Sequence, residues 1–440
     1  MKRLVIVGSG IAGVTAAQEA RRLHTPEDLS ITVIAQESPP SYSRPQLPEV
    51  LAGHREAEEL VMRSEQWFCQ QGIRLVCPAE ATEIRRQEKM LRILRLSPKG
   101  EQEELAIPYD ALILATGASA LVPTLPAPQS PAAGAVFSLR TLDDARRIRD
   151  HLSIRRRAAA VLGGGLLGLE AARALRSYGV MEVHVMEASG YLLNRQLNRT
   201  ASEMLRLYLE REEGLAVHTG IHLDTNELKH RSVSDLLKPI CGDGMETLLY
   251  SMGVKSQIAL AKDAALDCGR GIIIDEKTAT SDPAIFAAGD CAEFQGITWA
   301  IIPAALEQGK KAAQFACWSL FTNPESKTES ASPSPYRQTL PRTALTIGRR
   351  EAVSAGKAVL TPEEENSGRW KNHELGSSGR RGGSRRSEES DTYVNLVEDT
   401  ESGLIVGGLA FGPEGTSSRW LSQLQKLVGT SISELIKIGA

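Results

Sequence analysis

Lys2-Arg3-Leu4-Val5-Ile6-Val7-Gly8-Ser9-Gly10-Ile11-Ala12-Gly13 opens the chain and decides its fold. An apolar, β-branched run ends in glycines spaced G-x-G-x-x-G, and a helix-like stretch follows to about His24. After the turn Thr25-Pro26-Glu27-Asp28, a second apolar run spans 30–35. Strand, glycine turn, helix and strand in that order make a βαβ unit. The first glycine permits the tight turn, the second lets backbone N–H groups approach a pyrophosphate, and the third lets the helix pack on the strand. The helix N-terminus then offers unsatisfied donors and partial positive charge to phosphate oxygens. Gly8, Gly10, Ile11, Ala12 and Gly13 are therefore candidate dinucleotide-binding residues. Glu37, just beyond the second strand, is the candidate ribose acid.

The pattern recurs about 155 residues later. An apolar run at 158–162 leads into Gly163-Gly164-Gly165-Leu166-Leu167-Gly168, a helix to about Ser177 and a strand at 182–186. Two copies of one unit predict two mononucleotide-type folds. Gly163, Gly165, Leu166, Leu167 and Gly168 form the second candidate turn. Glu187 follows Gly168 at close to the roughly 20-residue spacing expected of a ribose-binding acid. A carboxylate there accepts from ribose hydroxyls and repels a 2′-phosphate, and residues 188–190 supply no arginine, so NADH is favoured over NADPH. Hydride transfer needs a donor and an acceptor held together; a nicotinamide and a flavin are such a pair, which predicts FAD in one turn and NADH in the other.

The other features set bounds. At 440 residues the chain is long enough for about three domains. With 42% hydrophobic and 24% charged residues it can build ordinary cores. A net charge of −3 and a pI near 6.3 give no basic surplus for nucleic acid. No apolar run approaches the roughly 18 residues of a membrane span, and glycines and charges interrupt the start too early for a signal peptide, so a cytoplasmic protein is expected. The six cysteines contain no CxxC pair and no zinc or iron–sulfur spacing, and are expected to be reduced, mostly buried thiols. His218 and His222 are four apart, but Gly220 lies between them in a strand-like stretch, so no metal site is expected. The Pro- and Ala-rich residues 121–133 read as a crossover between domains. Residues 362–391 carry almost no apolar side chains and are expected to be disordered.

Further blocks carry a resemblance. Ala115-Thr116-Gly117 follows a buried strand, Ile285-Phe286-Ala287-Ala288-Gly289-Asp290 begins with another, and Tyr250-Ser251-Met252-Gly253-Val254 lies between them. With the two glycine turns, these five ordered motifs resemble the FAD-dependent pyridine-nucleotide oxidoreductases related to glutathione reductase, over residues 1–320. The resemblance implies an α/β fold: two Rossmann-like three-layer domains plus a smaller α+β C-terminal domain. It implies an FAD-binding domain from 1–120 and 251–325, an NADH-binding domain over 121–250, and a C-terminal domain over 336–440. It further implies that Ala115, Thr116, Gly117, Gly289 and Asp290 contact FAD, that Gly253 belongs to the NADH site, and that Glu170 lies by the nicotinamide. The segment Ser41-Tyr42-Ser43-Arg44-Pro45-Gln46-Leu47-Pro48-Glu49 is similar to that of NADH:rubredoxin reductases and the flavin portion of assimilatory nitrite reductases, which implies that Arg44 and Pro45 face FAD.

Disulfide reductases of that family place cysteines at the flavin, whereas residues 37–53 here contain none. A thiol cannot relay electrons where none is present. The expected activity is therefore transfer from NADH through FAD to a small carrier such as rubredoxin, by a monomer or homodimer. The alternatives are an NADH oxidase and a non-catalytic FAD-binding sensor or subunit.

Overall fold

The computed structural model describes residues 1–96, 101–122, 135–322, 332–375 and 392–432. Most of the expected 121–133 crossover lies outside them. The chain divides into two compact units: Met1–Arg44, Glu56–Ser119 and Val254–Thr339 form the first, and Pro45–Arg55, Ala120–Gly253 and Leu340–Ala440 the second.

The first unit is built on a parallel sheet ordered Ile285–Ala287, Ala111–Leu114, Lys2–Val7, Leu29–Ile34 and Ile73–Val76. Apart from Lys2, Arg3, Ser30, Thr32 and Arg74, these strands are apolar, because both faces of the sheet are covered. On one face, Leu4, Ile6 and Ile113 meet alanines of the helices Ile11–Leu23 and Ile302–Phe321. On the other, Val5, Leu112 and Leu114 meet Leu91 and Ile93 of an antiparallel sheet, Ala79–Arg85, Met90–Leu96 and Gln102–Pro108. Small residues bring the two helices close together. A Cβ at Gly309 would lie 2.4 Å from the Ala12 carbonyl oxygen, so glycine is required there.

The second unit holds the second parallel sheet, ordered Leu215–Thr219, Glu182–Glu187, Ala158–Leu162, Thr247–Tyr250 and Val136–Ser138. Helix Val233–Cys241 covers one face through Val233, Leu236 and Leu237. On the other face, the helices Leu166–Ser177 and Arg199–Arg211 share a core with Leu345, Ile347, Leu409 and Phe411 of a C-terminal antiparallel sheet. That sheet is ordered Arg342–Ile347, Arg350–Gly356, Leu404–Pro413, Tyr393–Asp399 and Trp370–Leu375. Helix Thr416–Leu427 supplies Leu424 to its second core.

Two expectations need correction. The grouping of 1–120 does not hold at 45–55. Leu47, Val50 and Leu51 lie on one side of the short helix Leu47–Ala52, and Leu51, wholly buried, joins the core of the second unit. The expected disorder does not hold at 362–375. Thr361 caps the helix Pro362–Asn366, and Trp370–Leu375 pairs as the edge strand along Tyr393–Asp399, so backbone pairing offsets the scarcity of apolar side chains. Residues 376–391 lie outside the described residues.

Replacing Gly309 by valine forces a side chain into the Ala12 carbonyl. Urea unfolding should show a loss of ~1–3 kcal/mol, the usual cost of overpacking. Stability equal to the parent would mean that the helix contact is looser than described.

Candidate functional site

Both glycine turns have the same construction. In the first unit, Gly8 has φ +107°, and a Cβ on it would sit 2.1 Å from the Ala115 carbonyl oxygen on the neighbouring strand's end. A Cβ on Gly13 would sit 2.0 Å from the Gly8 oxygen. In the second unit, Gly163 has φ +121° with Ser251 O 2.3 Å from its absent Cβ, and Gly168 meets Gly163 O at 1.9 Å. Protein packing therefore demands the first and third glycine of each motif. The middle ones differ: a Cβ on Gly10 or Gly165 would meet nothing within 4 Å.

Gly10 and Gly165 are also the N-caps of their helices, and neither offers a side-chain cap to the first N–H groups. Open space above uncapped donors is what a dinucleotide pyrophosphate requires. The residues present fit such a group in both units. Ser41 adds to this in the first unit: it is 1% exposed, and its hydroxyl has no partner among the described residues. Its neighbour Pro40 accepts a hydrogen bond from Ser9 Oγ, which ties the 37–44 segment to the glycine turn.

The first unit gathers the remaining candidates around this turn. Ala115 N donates to Val7 O at 2.8 Å. Thr116 Oγ1 donates to Gln257 O at 2.7 Å, and Gly117, at φ +71°, accepts from Gln257 N through its carbonyl. Gly289, at φ +82°, faces Ala12 so closely that a Cβ would lie 2.8 Å from the alanine Cβ. Gln308, wholly buried, accepts from Gly289 N at 2.8 Å. The carbonyl of Asp290 accepts from Ser256 Oγ. Glu37 is held by the Tyr42 hydroxyl and by Arg44 at 2.5 Å. Burial works against the Arg44 guanidinium, but Tyr42, Glu37 and Asp290 together raise its pKa above the usual arginine value. Pro45 belongs to the second unit, so the two residues of the Arg44-Pro45 pair are divided between the units.

In the second unit, Glu187 ends its strand with both oxygens in place: Oε2 accepts from Gly164 N and Oε1 from Ser189 N, each at 2.7 Å. Each oxygen keeps lone-pair capacity for a ribose hydroxyl. Leu167 stands 43% exposed in the first helical turn, and Gly253 turns at φ +103° in open space. Arg199 could not be found from local sequence. It lines a cavity of about 330 Å³ with Gly190 and Tyr191, its guanidinium 5.6 Å from the Tyr191 ring. A Cβ on Gly190 would lie 3.9 Å from the Arg199 guanidinium.

Glu170 lies one turn into the helix that begins after Gly165. Burial first, and then the charge of Glu49, push its carboxyl up to about 7. Glu49 comes from the Leu47–Ala52 helix of the same unit. All six cysteines are free. Burial pushes the Cys77 and Cys241 thiols up to about 11 and Cys317 to about 12, and raises Cys268 and Cys291 as well. Such thiols stay protonated at neutral pH while no metal is bound to them.

The family model for pyridine nucleotide-disulphide oxidoreductases matches residues 2–312. The chain belongs to that family. It is 31% identical over 358 residues to the assimilatory nitrate reductase electron transfer subunit of Bacillus subtilis (81% of this chain, 43% of that protein). It is 29% identical over 354 residues to the NADH-rubredoxin oxidoreductase of Clostridium acetobutylicum (80% and 81%). It spans less than half of the nitrate- and nitrite-reductase relatives from Bacillus subtilis, 43% and 48% of their lengths. Among solved structures, an NAD-dependent persulfide reductase from A. fulgidus superposes with a TM-score of 0.81 at 23% identity, covering 100% of this chain and 79% of that one. The fold expected from the two glycine turns is the fold observed.

Gly168→Ala should cost ~1–3 kcal/mol of stability by overpacking. Gly165→Ala should change stability by less than ~0.5 kcal/mol yet weaken dinucleotide binding at least about tenfold. Equilibrium unfolding and NADH titration read the two effects, and equal behaviour of the variants would sink the distinction. For Glu170 the sign follows from its raised pKa. The stability it contributes is complete below 4.5, the ordinary value, and is lost as pH rises through about 7. Glu170→Gln should therefore gain on the parent by ~1–3 kcal/mol between those pH values, and a difference independent of pH in urea unfolding would refute it.

Proposed function

We propose that the chain is an NADH-dependent flavoprotein reductase, holding FAD in the first unit and NADH in the second, and passing electrons to a small carrier protein of the rubredoxin kind. The observation that carries this reading is the repeated turn: a middle glycine open to a ligand, an uncapped helix start, and an acid closing the next strand.

In the first unit, Gly8 to Gly13 would receive the FAD pyrophosphate, with Ala115–Gly117, Gly289 and Asp290 beside it and Arg44, positioned by Glu37, supplying a fixed positive charge. In the second unit, Gly163 to Gly168 would receive the NADH pyrophosphate, and Glu187, oriented by two backbone N–H groups, the adenosine ribose. When bound, FAD supplies an acceptor for hydride and a donor of electrons onward. Glu170, close to half protonated at neutral pH, would present an uncharged or singly charged carboxyl on the nicotinamide side as pH changes. The 37–53 stretch has no cysteine and five of the six thiols are held protonated by burial, which supports electron exit without a disulfide relay.

The carrier part draws on likeness to the Clostridium acetobutylicum protein, matched along about four-fifths of both chains (80% and 81%). Anaerobic titration of the purified protein with NADH is the test. Bleaching of the visible flavin absorbance at one equivalent is expected, followed by rapid recovery on adding oxidised rubredoxin. A flavin that NADH leaves untouched would turn the reading toward a sensor or scaffold. Fast oxygen uptake with no response to rubredoxin would replace the carrier with oxygen.

A further inference from the structure

Three side chains of the second unit, far apart in sequence, converge away from its glycine turn. His184 lies in the strand Glu182–Glu187, His218 in the edge strand Leu215–Thr219, and Cys241 is the last residue of the helix Val233–Cys241. Parallel pairing sets His184 opposite Ala216 and Met186 opposite His218. Side chains two apart share a face, so both imidazoles stand on the same side of the sheet. It is the side covered by the helix that carries Cys241, where Met186, Leu236 and Leu237 are buried.

The two rings lie 5.3 Å apart and within 4° of parallel. His184 Nδ1 is 3.0 Å from His218 Nε2. One ligand atom from each of His184, His218 and Cys241 falls within 4.8 Å of the other two, and all three residues are half-buried. Two imidazole lone pairs at 3.0 Å repel, so a proton or a cation must lie between them. Cys241 makes the pair a set of three, with the nitrogen and sulfur donors that zinc prefers.

We propose that His184, His218 and Cys241 form a three-ligand Zn²⁺ site, with water in the fourth position, that pins the Val233–Cys241 helix to the edge strand Leu215–Thr219. Zinc–nitrogen bonds of about 2.0–2.1 Å set two tetrahedral nitrogens roughly 3.3 Å apart, a few tenths from the present spacing. The thiol has to close by on the order of 1 Å, within reach of a side-chain rotation at a helix end. Cys241 is the helix C-terminus, where the partial negative charge of the last carbonyls favours a cation.

His184 precedes Glu187 by three residues along a strand, roughly 10 Å. The metal would therefore act on the fold and not on the transferred electrons. Its effect would be to clamp an edge strand whose outer backbone groups have no strand partner among the described residues.

The test uses the full chain, stripped with a chelator and titrated with Zn²⁺ against a chromogenic zinc indicator, and separately with Co²⁺. One tightly held zinc per chain and a higher Tm on adding it are expected. Co²⁺ should give tetrahedral ligand-field bands and a thiolate-to-cobalt charge-transfer band. Cys241→Ser, a near-isosteric change, should abolish that band and the Tm rise, while Cys69→Ser, at an exposed thiol, should leave both intact. His218→Ala should remove zinc binding, and if that variant fails to fold, the spectrum of the parent and of Cys241→Ser decides. No retained zinc, or a charge-transfer band that survives Cys241→Ser, would overturn the proposal in favour of a hydrogen-bonded imidazole pair.

Discussion

Backbone approach at the two glycine turns is the constraint on which the rest depends. In each unit a carbonyl from the neighbouring strand, Ala115 O or Ser251 O, occupies the place a Cβ would take on the first glycine. The carbonyl of that glycine in turn occupies the place of a Cβ on the third. A side chain at either position would push the helix off the sheet. With none there, the helix starts directly at the end of the central strand and its first N–H groups point into open space. The parallel sheets, buried on both faces, hold that geometry rigid.

The acids at the strand ends are handled in different ways. Glu187 is oriented by two backbone donors, Gly164 N and Ser189 N. Glu37 is instead held by side chains, Tyr42 and Arg44, so that charge is balanced inside the first unit. Glu170 has neither arrangement. It is half-buried with the Glu49 carboxylate nearby, and it moves toward the neutral form as a result. One residue type thus serves as an anchor, a counter-charge and a proton-sensitive group, according to what surrounds it.

The C-terminal sheet contributes to two cores. One of its faces closes over the Thr416–Leu427 helix, and Leu345, Ile347, Leu409 and Phe411 extend the core beneath the second glycine turn. Stability of the nucleotide-binding half and of the C-terminal region is therefore coupled through shared apolar contacts.

Sequence alone determined the two βαβ units, the packing role of the first and third glycine of each turn, the acid after each second strand and the lack of cysteine near residue 43. These are local properties: a hydrophobic period, a backbone angle only glycine tolerates, a short spacing. Tertiary structure alone decided that residues 45–55 pack in the second unit, that Glu49 lies near Glu170, that Arg199 reaches Gly190, that Trp370–Leu375 becomes an edge strand, and that His184, not His222, meets His218. Each of those pairings is set by sheet register and burial between segments distant in the chain. No periodicity in either segment carries that information, because the register exists only once the strands have paired.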